Sequence, residues 1–151
     1  MVVESCEILE AEQLKKILPH AYPFLLIDRV IEVKKGKSLV AIKNITANEW
    51  CFGAPGPDLK YFPETLLIEA AAQAALVLYH VSKMGEGERP RYVLGKVMAQ
   101  SFKPVNTAVQ LQIIPFADKM LDSGGYSNIK IFSESTLVAH VTVFYKVERE
   151  K

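Results

Sequence analysis

The sequence predicts an α+β domain in which an antiparallel sheet wraps one long central helix. Three observations carry that prediction. Tyr61–Met84 (YFPETLLIEAAAQAALVLYHVSKM) is a helix-forming run that is apolar nearly all the way round, so it must be covered by protein. The chain from Tyr92 onward reads as four consecutive strands. A hairpin precedes the helix, so one apolar helix meets one large sheet, and a sheet curled around that helix buries both.

Within the helix, Pro63 suits the first turn, where its missing N–H is not needed. Glu64 complements the positive end of the helix dipole, and Gly85 is the expected C-cap. Only Glu69 and Gln73 interrupt the apolar run from Leu66 to Leu78. Their i, i+4 spacing places them on one face. An acid in a buried helix is costly unless it is paired, hydrogen-bonded or protonated. Glu69 therefore has two readings: a carboxylate satisfied by Gln73 and backbone groups, or a general acid or base with a raised pKa.

Ahead of the helix, Ile8–Leu18 carries a short helical stripe that Pro19 stops. Phe24–Val33 and Ser38–Thr46 alternate and are β-branched, with Lys34–Lys37 as the turn of a hairpin. Ala47–Phe62 (ANEWCFGAPGPDLKYF) reads as a loop of functional length. Behind the helix, Gly85–Pro90 is a second loop. The strands are Tyr92–Phe102, Ala108–Phe116, Gly125–Ser133 and Leu137–Val147, joined by the turns KPVN, ADKMLDSG and ESTL. A half-barrel of this kind leaves an open edge that a second copy can cover, so a homodimer is expected.

The 151 residues suit a single domain, 1–151, able to bury a sizeable core. Half the residues are apolar and the net charge is +1. That balance gives no bulk-electrostatic reason to expect nucleic acid or a membrane surface as partner, and the longest apolar stretch is broken by Glu69 and Gln73, so it is not read as a membrane span. Cys6 and Cys51 lie far apart without metal-ligand spacing, and His20, His80 and His140 form no zinc motif. No metal or cofactor is expected. Without a signal peptide in MVVESCEILE, a reducing cytoplasmic setting is expected.

LPHAYPFLLIDRV (Leu18–Val30) closely resembles the opening signature of the hot-dog-fold 3-hydroxyacyl-(acyl carrier protein) dehydratases of bacterial fatty-acid synthesis. AIKNITANE (Ala41–Glu49), FPETLLIEAAAQ (Phe62–Gln73) and GKVMAQSFKPV (Gly95–Val105) fit the same family in the same order. The first motif is the most specific; the helix motif is shared more loosely among hot-dog proteins. The resemblance implies a hot-dog fold, a dimer or trimer of dimers, and an acyl thioester, on acyl carrier protein or coenzyme A, threaded into a tunnel at the dimer interface. The implied reaction removes water from a 3-hydroxyacyl thioester. A loop histidine in the motif G-H-F-P-G takes the C2 proton, and a helix carboxylate from the partner subunit assists departure of the hydroxyl. Backbone N–H groups, including that of a glycine at the helix start, polarise the thioester carbonyl.

Carried over residue by residue, the family's acid falls on Glu69 and the following glutamine on Gln73. The loop motif becomes Ala54-Pro55-Gly56-Pro57-Asp58, so Pro55 stands where the histidine should be. Glu64 replaces the helix-start glycine and puts a carboxylate where enolate charge would develop. Asp58 and Glu64 are the candidate substitute bases. His20 belongs to the LPHAYPF signature, where a structural or interface role is expected. His80 lies about 16 Å along the helix from Glu69 and cannot share its substrate carbon, while His140 is expected to be solvent-facing or satisfied. Cys51 is a nucleophile only if its thiolate is stabilised.

Gly53, Pro55, Tyr61, Phe62 and Gln73 are the expected substrate contacts, with Trp50 as a further tunnel aromatic, although aromatics so placed are more often core. Lys60, Lys96 and Lys103 would attract an acidic carrier protein or belong to an ordinary solvated surface. Three functions follow: a dehydratase with a rearranged base, a thioesterase-like hydrolase, or a non-catalytic acyl-binding or hetero-oligomer subunit.

Overall fold

A computed structural model describes residues 7–52 and 60–150. Its elements run α1 (Ala11–Ile17), β1 (Arg29–Lys34), β2 (Ser38–Ile45), a single 3-10 turn at Trp50–Phe52, α2 (Glu64–Lys83), β3 (Arg91–Ser101), β4 (Val109–Leu121), β5 (Gly124–Ser133) and β6 (Thr136–Glu148). The strands form one six-stranded sheet in the order β1-β2-β4-β5-β6-β3, antiparallel throughout. It curls around α2, giving the hot-dog fold expected from the sequence.

The alternation in each strand explains the core. Leu111 and Ile113 of β4, Ile129 and Ile131 of β5, and Val141 and Val143 of β6 face inward and are buried. Against them α2 buries Leu66, Leu67, Val77, Leu78, Tyr79 and a run of alanines whose small size lets the sheet approach closely. By length and hydropathy alone α2 could cross a membrane, but most of that window is buried inside the sheet. The Tyr79 hydroxyl donates to the carbonyls of Leu121 and Asp122 at 2.7 and 3.1 Å, tying the β4–β5 turn to the helix.

The wrapping is not complete. Ile68, Glu69 and Leu76 are only half buried, and they share one stripe of α2. The two sheet edges also differ. Strand β1 is guarded by reciprocal backbone bonds between Leu9 and Val30 at 3.0 and 2.9 Å. Strand β3 has no neighbour beyond β6 among the described residues, and its Leu94 and Met98 are about half exposed.

Several boundaries depart from the sequence reading. Pro63 is the N-cap rather than a first-turn residue; its carbonyl accepts from the Leu66 and Leu67 N–H groups. Gly85 is not the C-cap. Met84 ends α2 in an extended conformation, and the left-handed residue of the following turn is Gly87, at φ 80°. The first hairpin strand starts at Arg29 rather than Phe24 because the backbone of Phe24–Leu26 bonds to Gln73 of α2 instead of to a strand. The segment ADKMLDSG is largely strand, with only Asp122 and Ser123 left as turn. A bulge between Ala117 and Lys119 breaks the alternation there, which hid the strand from a period-2 reading.

Candidate functional site

The segment 18–28 lies across α2, and Gln73 holds it there. Gln73 is completely buried. Its Oε1 accepts the Leu26 N–H at 3.0 Å, which forces its amide nitrogen the other way. That nitrogen donates to the Phe24 carbonyl at 2.6 Å and to Oε1 of Glu69 at 3.0 Å. A buried amide with every contact this specific fixes both the segment and the carboxylate.

The same segment delivers His20. Its Nε2 lies 3.0 Å from Oε1 of Glu69, with the side chains 23% and 32% exposed. Because a carboxylate only accepts, Nε2 carries the proton of that bond. The hydrogen bond from His20 holds the Glu69 carboxyl below its ordinary value; desolvation opposes this, and Gln73 adds to the lowering. The sequence-based alternative of a raised pKa is thus reversed. Two donors meet the charge, and the site is too open for desolvation to prevail.

Glu69 and His20 line a cleft of about 170 Å³ whose other walls are mostly apolar: Pro19, Ala72, Leu76, Leu94 and Val143, with Tyr92 and Tyr145. Burial pushes both tyrosine hydroxyls far up, so they stay neutral. The cleft opens beside β3, where the sheet edge is unpaired. It combines one charged, hydrogen-bonded rim with a greasy wall, a layout suited to an apolar chain carrying a polar head group.

The remaining sequence candidates lie elsewhere. Glu64 is exposed at the start of α2 and lines a separate cleft with Ala99 and Ser101, five residues and about 7.5 Å of helix from Glu69. Phe62 is core, its ring edge-on to Phe52. Tyr61 and Trp50 are partly exposed, and Trp50 packs on Phe24. Gly53, Pro55 and Asp58 lie outside the described residues.

The three lysines sit on different segments. Lys60 and Lys103 are exposed on segments joined by the Phe62–Val105 backbone bond. Lys96 sits over the Phe144 ring, seven residues and roughly 20 Å of extended chain from Lys103. His80 is buried beside Tyr92, and His140 is satisfied by Asn128. Cys51 is a buried free thiol whose pKa burial raises, which disfavours a nucleophile.

His20 is the residue that sequence reasoning left out of the site. The available signal was the pair Glu69 and Gln73, each needing a partner, together with a histidine in the most specific motif. What the sequence lacked was the register between segment 18–28 and the helix.

The family model described as the FabA-like domain matches residues 18–143, a span that includes both Glu69 and the segment carrying His20. The chain belongs to the FabA-like family. Among curated proteins it is similar to the 3-hydroxyacyl-(acyl-carrier-protein) dehydratase FabZ of Pasteurella multocida, 51% identical over 74 residues that make up 49% of each chain. It is also similar to the FabZ of Colwellia psychrerythraea, 40% identical over 95 residues and 63% of each chain. The chain thus spans about half to two thirds of the length of these relatives. Among solved structures, the dehydratase heterocomplex ApeI:P of Xenorhabdus doucetiae superposes with a TM-score of 0.72 at 16% identity, covering 91% of both chains. A mutant thioesterase of Pseudomonas aeruginosa does so at 0.70 and 13% identity, covering 93% of this chain and 95% of that one. At such identities these structures establish the hot-dog fold of this FabA-like chain and nothing finer.

Proposed function

We propose that this FabA-like protein acts on acyl thioesters of fatty-acid synthesis, removing water from a 3-hydroxyacyl group carried on acyl carrier protein or coenzyme A. The carrying observation is the Glu69 carboxylate, fixed by His20 and Gln73 at the rim of an apolar cleft. Dehydration needs a proton taken from C2 and one delivered to the C3 hydroxyl, both within reach of a positioned acid–base group. An apolar wall next to that group suits an acyl tail.

The altered loop belongs to this reading. With Pro55 in place of the expected histidine, the chemistry falls to Glu69, and Asp58 and Glu64 are kept as lesser candidates. The reading also includes a cytoplasmic homodimer or trimer of dimers, with the β3 edge as the contact. The exposed Leu94 and Met98 support that contact.

The test is incubation of the purified protein with matched 3-hydroxyacyl and plain acyl thioesters, alongside Glu69→Gln. Water loss from the wild type, abolished in a folded Glu69→Gln protein, is the expected result. Release of free thiol from the plain thioester would instead make the protein a hydrolase. Saturable binding without turnover would make it a non-catalytic acyl-binding or hetero-oligomer subunit.

A further inference from the structure

We infer that His20 is a positioning residue that makes Glu69 a base, so that this one carboxylate first takes and then returns the proton of the reaction. The inference rests on the dehydratase reading above and assigns its chemistry to residues outside the loop.

The geometry divides the two carboxylate oxygens. Oε1 accepts from both His20 Nε2 and Gln73 Nε2, each at 3.0 Å. No hydrogen bond to Oε2 is present among the described residues, so it is the oxygen open to a reacting proton. His20 is itself a fixed donor. Its Nδ1 is buried without a partner among the described residues, and a proton placed there would be a stranded N–H. The proton therefore sits on Nε2 and serves Glu69. Gln73 cannot turn away, because its Oε1 accepts from the Leu26 N–H and the same Nε2 also donates to the Phe24 carbonyl. Two donors on one oxygen favour the charged carboxylate, in line with its lowered pKa.

The other titratable groups facing Glu69 do not compete. From β3 and β6 these are Tyr92 and Tyr145, both held neutral by burial. No lysine or arginine lines the cleft among the described residues.

An ionised carboxylate is a base and a poor acid, and the step can be written with it alone. Oε2 takes the C2 proton of the 3-hydroxyacyl thioester, and the C–H electron pair becomes the enolate of the thioester. The enolate then forms the C2–C3 double bond as the C3–O bond breaks. The proton now on Oε2 leaves with the departing hydroxyl as water, and Glu69 ends ionised as it began. No oxidant, metal or second acid enters the balance.

Two measurements test this. The first is exchange of C2 protons of a plain acyl thioester with deuterium oxide, followed by nuclear magnetic resonance. The wild type is expected to exchange them, and Glu69→Gln is not. The second is the pH profile of water loss in wild type, His20→Ala and His20→Gln, with folding checked by circular dichroism. The acid limb is expected to move to higher pH in His20→Ala and part of the way back in His20→Gln, whose amide restores a donor. If His20→Ala does not fold, His20→Gln against the wild type carries the comparison. An unmoved acid limb, or water loss without C2 exchange, overturns the inference while leaving the dehydratase reading standing. A wild type that exchanges C2 protons but releases no water keeps the base and removes the dehydratase.

Discussion

Burial sets the protonation of His80 as it does not for Glu69. His80 is 8% exposed near the end of α2, and its Nδ1 lies 3.4 Å from the Tyr92 hydroxyl. Desolvation lowers its pKa below the ordinary value of 6.5, with Glu88 only partly opposing. The folded protein therefore resists a proton that the unfolded chain accepts. That difference contributes stability above the ordinary histidine pKa and is lost as pH falls through it toward the folded value. His80→Gln keeps an amide able to pair with Tyr92 but has no proton to bind. Urea unfolding at about pH 7.5 and about pH 5.5 is expected to show a smaller acid loss for His80→Gln than for wild type. An equal loss would place the acid sensitivity elsewhere. On Glu69 the balance tips the other way because two donors reach one oxygen. The same helix thus carries an acid kept charged and an imidazole kept neutral.

At the scale of elements, the β4–β5 ribbon shows how backbone crowding dictates sequence. A Cβ on Gly125 would sit 2.1 Å from the Lys119 carbonyl oxygen, at the bulge. Backbone atoms cannot yield there, so Gly125→Ala is expected to cost about 2 kcal/mol or more. Gly36, in the β1–β2 turn at φ 73°, has open space around it. Gly36→Ala should cost only about 1 kcal/mol, from its left-handed backbone. Equal urea midpoints for the two variants would refute the crowding account. The same ribbon marks where sequence reading stopped. The helix was legible as a helix-forming run, Leu66–Leu78, apolar nearly all the way round, and the last strand because Val141–Val147 alternates. The strand through Ala117–Leu121 was not, because one inserted residue reverses which side chains face inward. Residues 24–26 looked like strand because they continue the apolar pattern of the hairpin, yet the Phe24 carbonyl and the Leu26 N–H are claimed by Gln73. Glu69 was legible as the polar break in an apolar helix. Its partner His20 was not, since a contact between residues 49 apart in sequence depends on how a loop is laid over a helix.

For the molecule as a whole, the open edge and the candidate site are one problem. Strand β3 leaves backbone donors and acceptors without a neighbouring strand among the described residues, and its Leu94, its Met98 and the nearby Phe102 are 51%, 48% and 48% exposed. Natural sheets blunt such edges with charge, proline or cover; here Lys96 supplies a charge, but its ammonium lies over the Phe144 ring. Leu94 and Tyr92 of this strand also wall the cleft that holds Glu69 and His20. A second copy paired along β3 would shelter the apolar residues and narrow the mouth of the cleft, drying the site and strengthening its electrostatics. Sedimentation of the wild type is therefore expected to give a dimer, or a trimer of dimers. Leu94→Lys together with Met98→Lys should shift it to monomer with an unchanged circular dichroism spectrum, because both positions are exposed in the single chain. Water loss should fall with the dimer fraction and recover as protein concentration is raised. If the doubly substituted monomer turns over as fast as the wild type, the edge is only a contact surface and the cleft of one chain suffices for the chemistry.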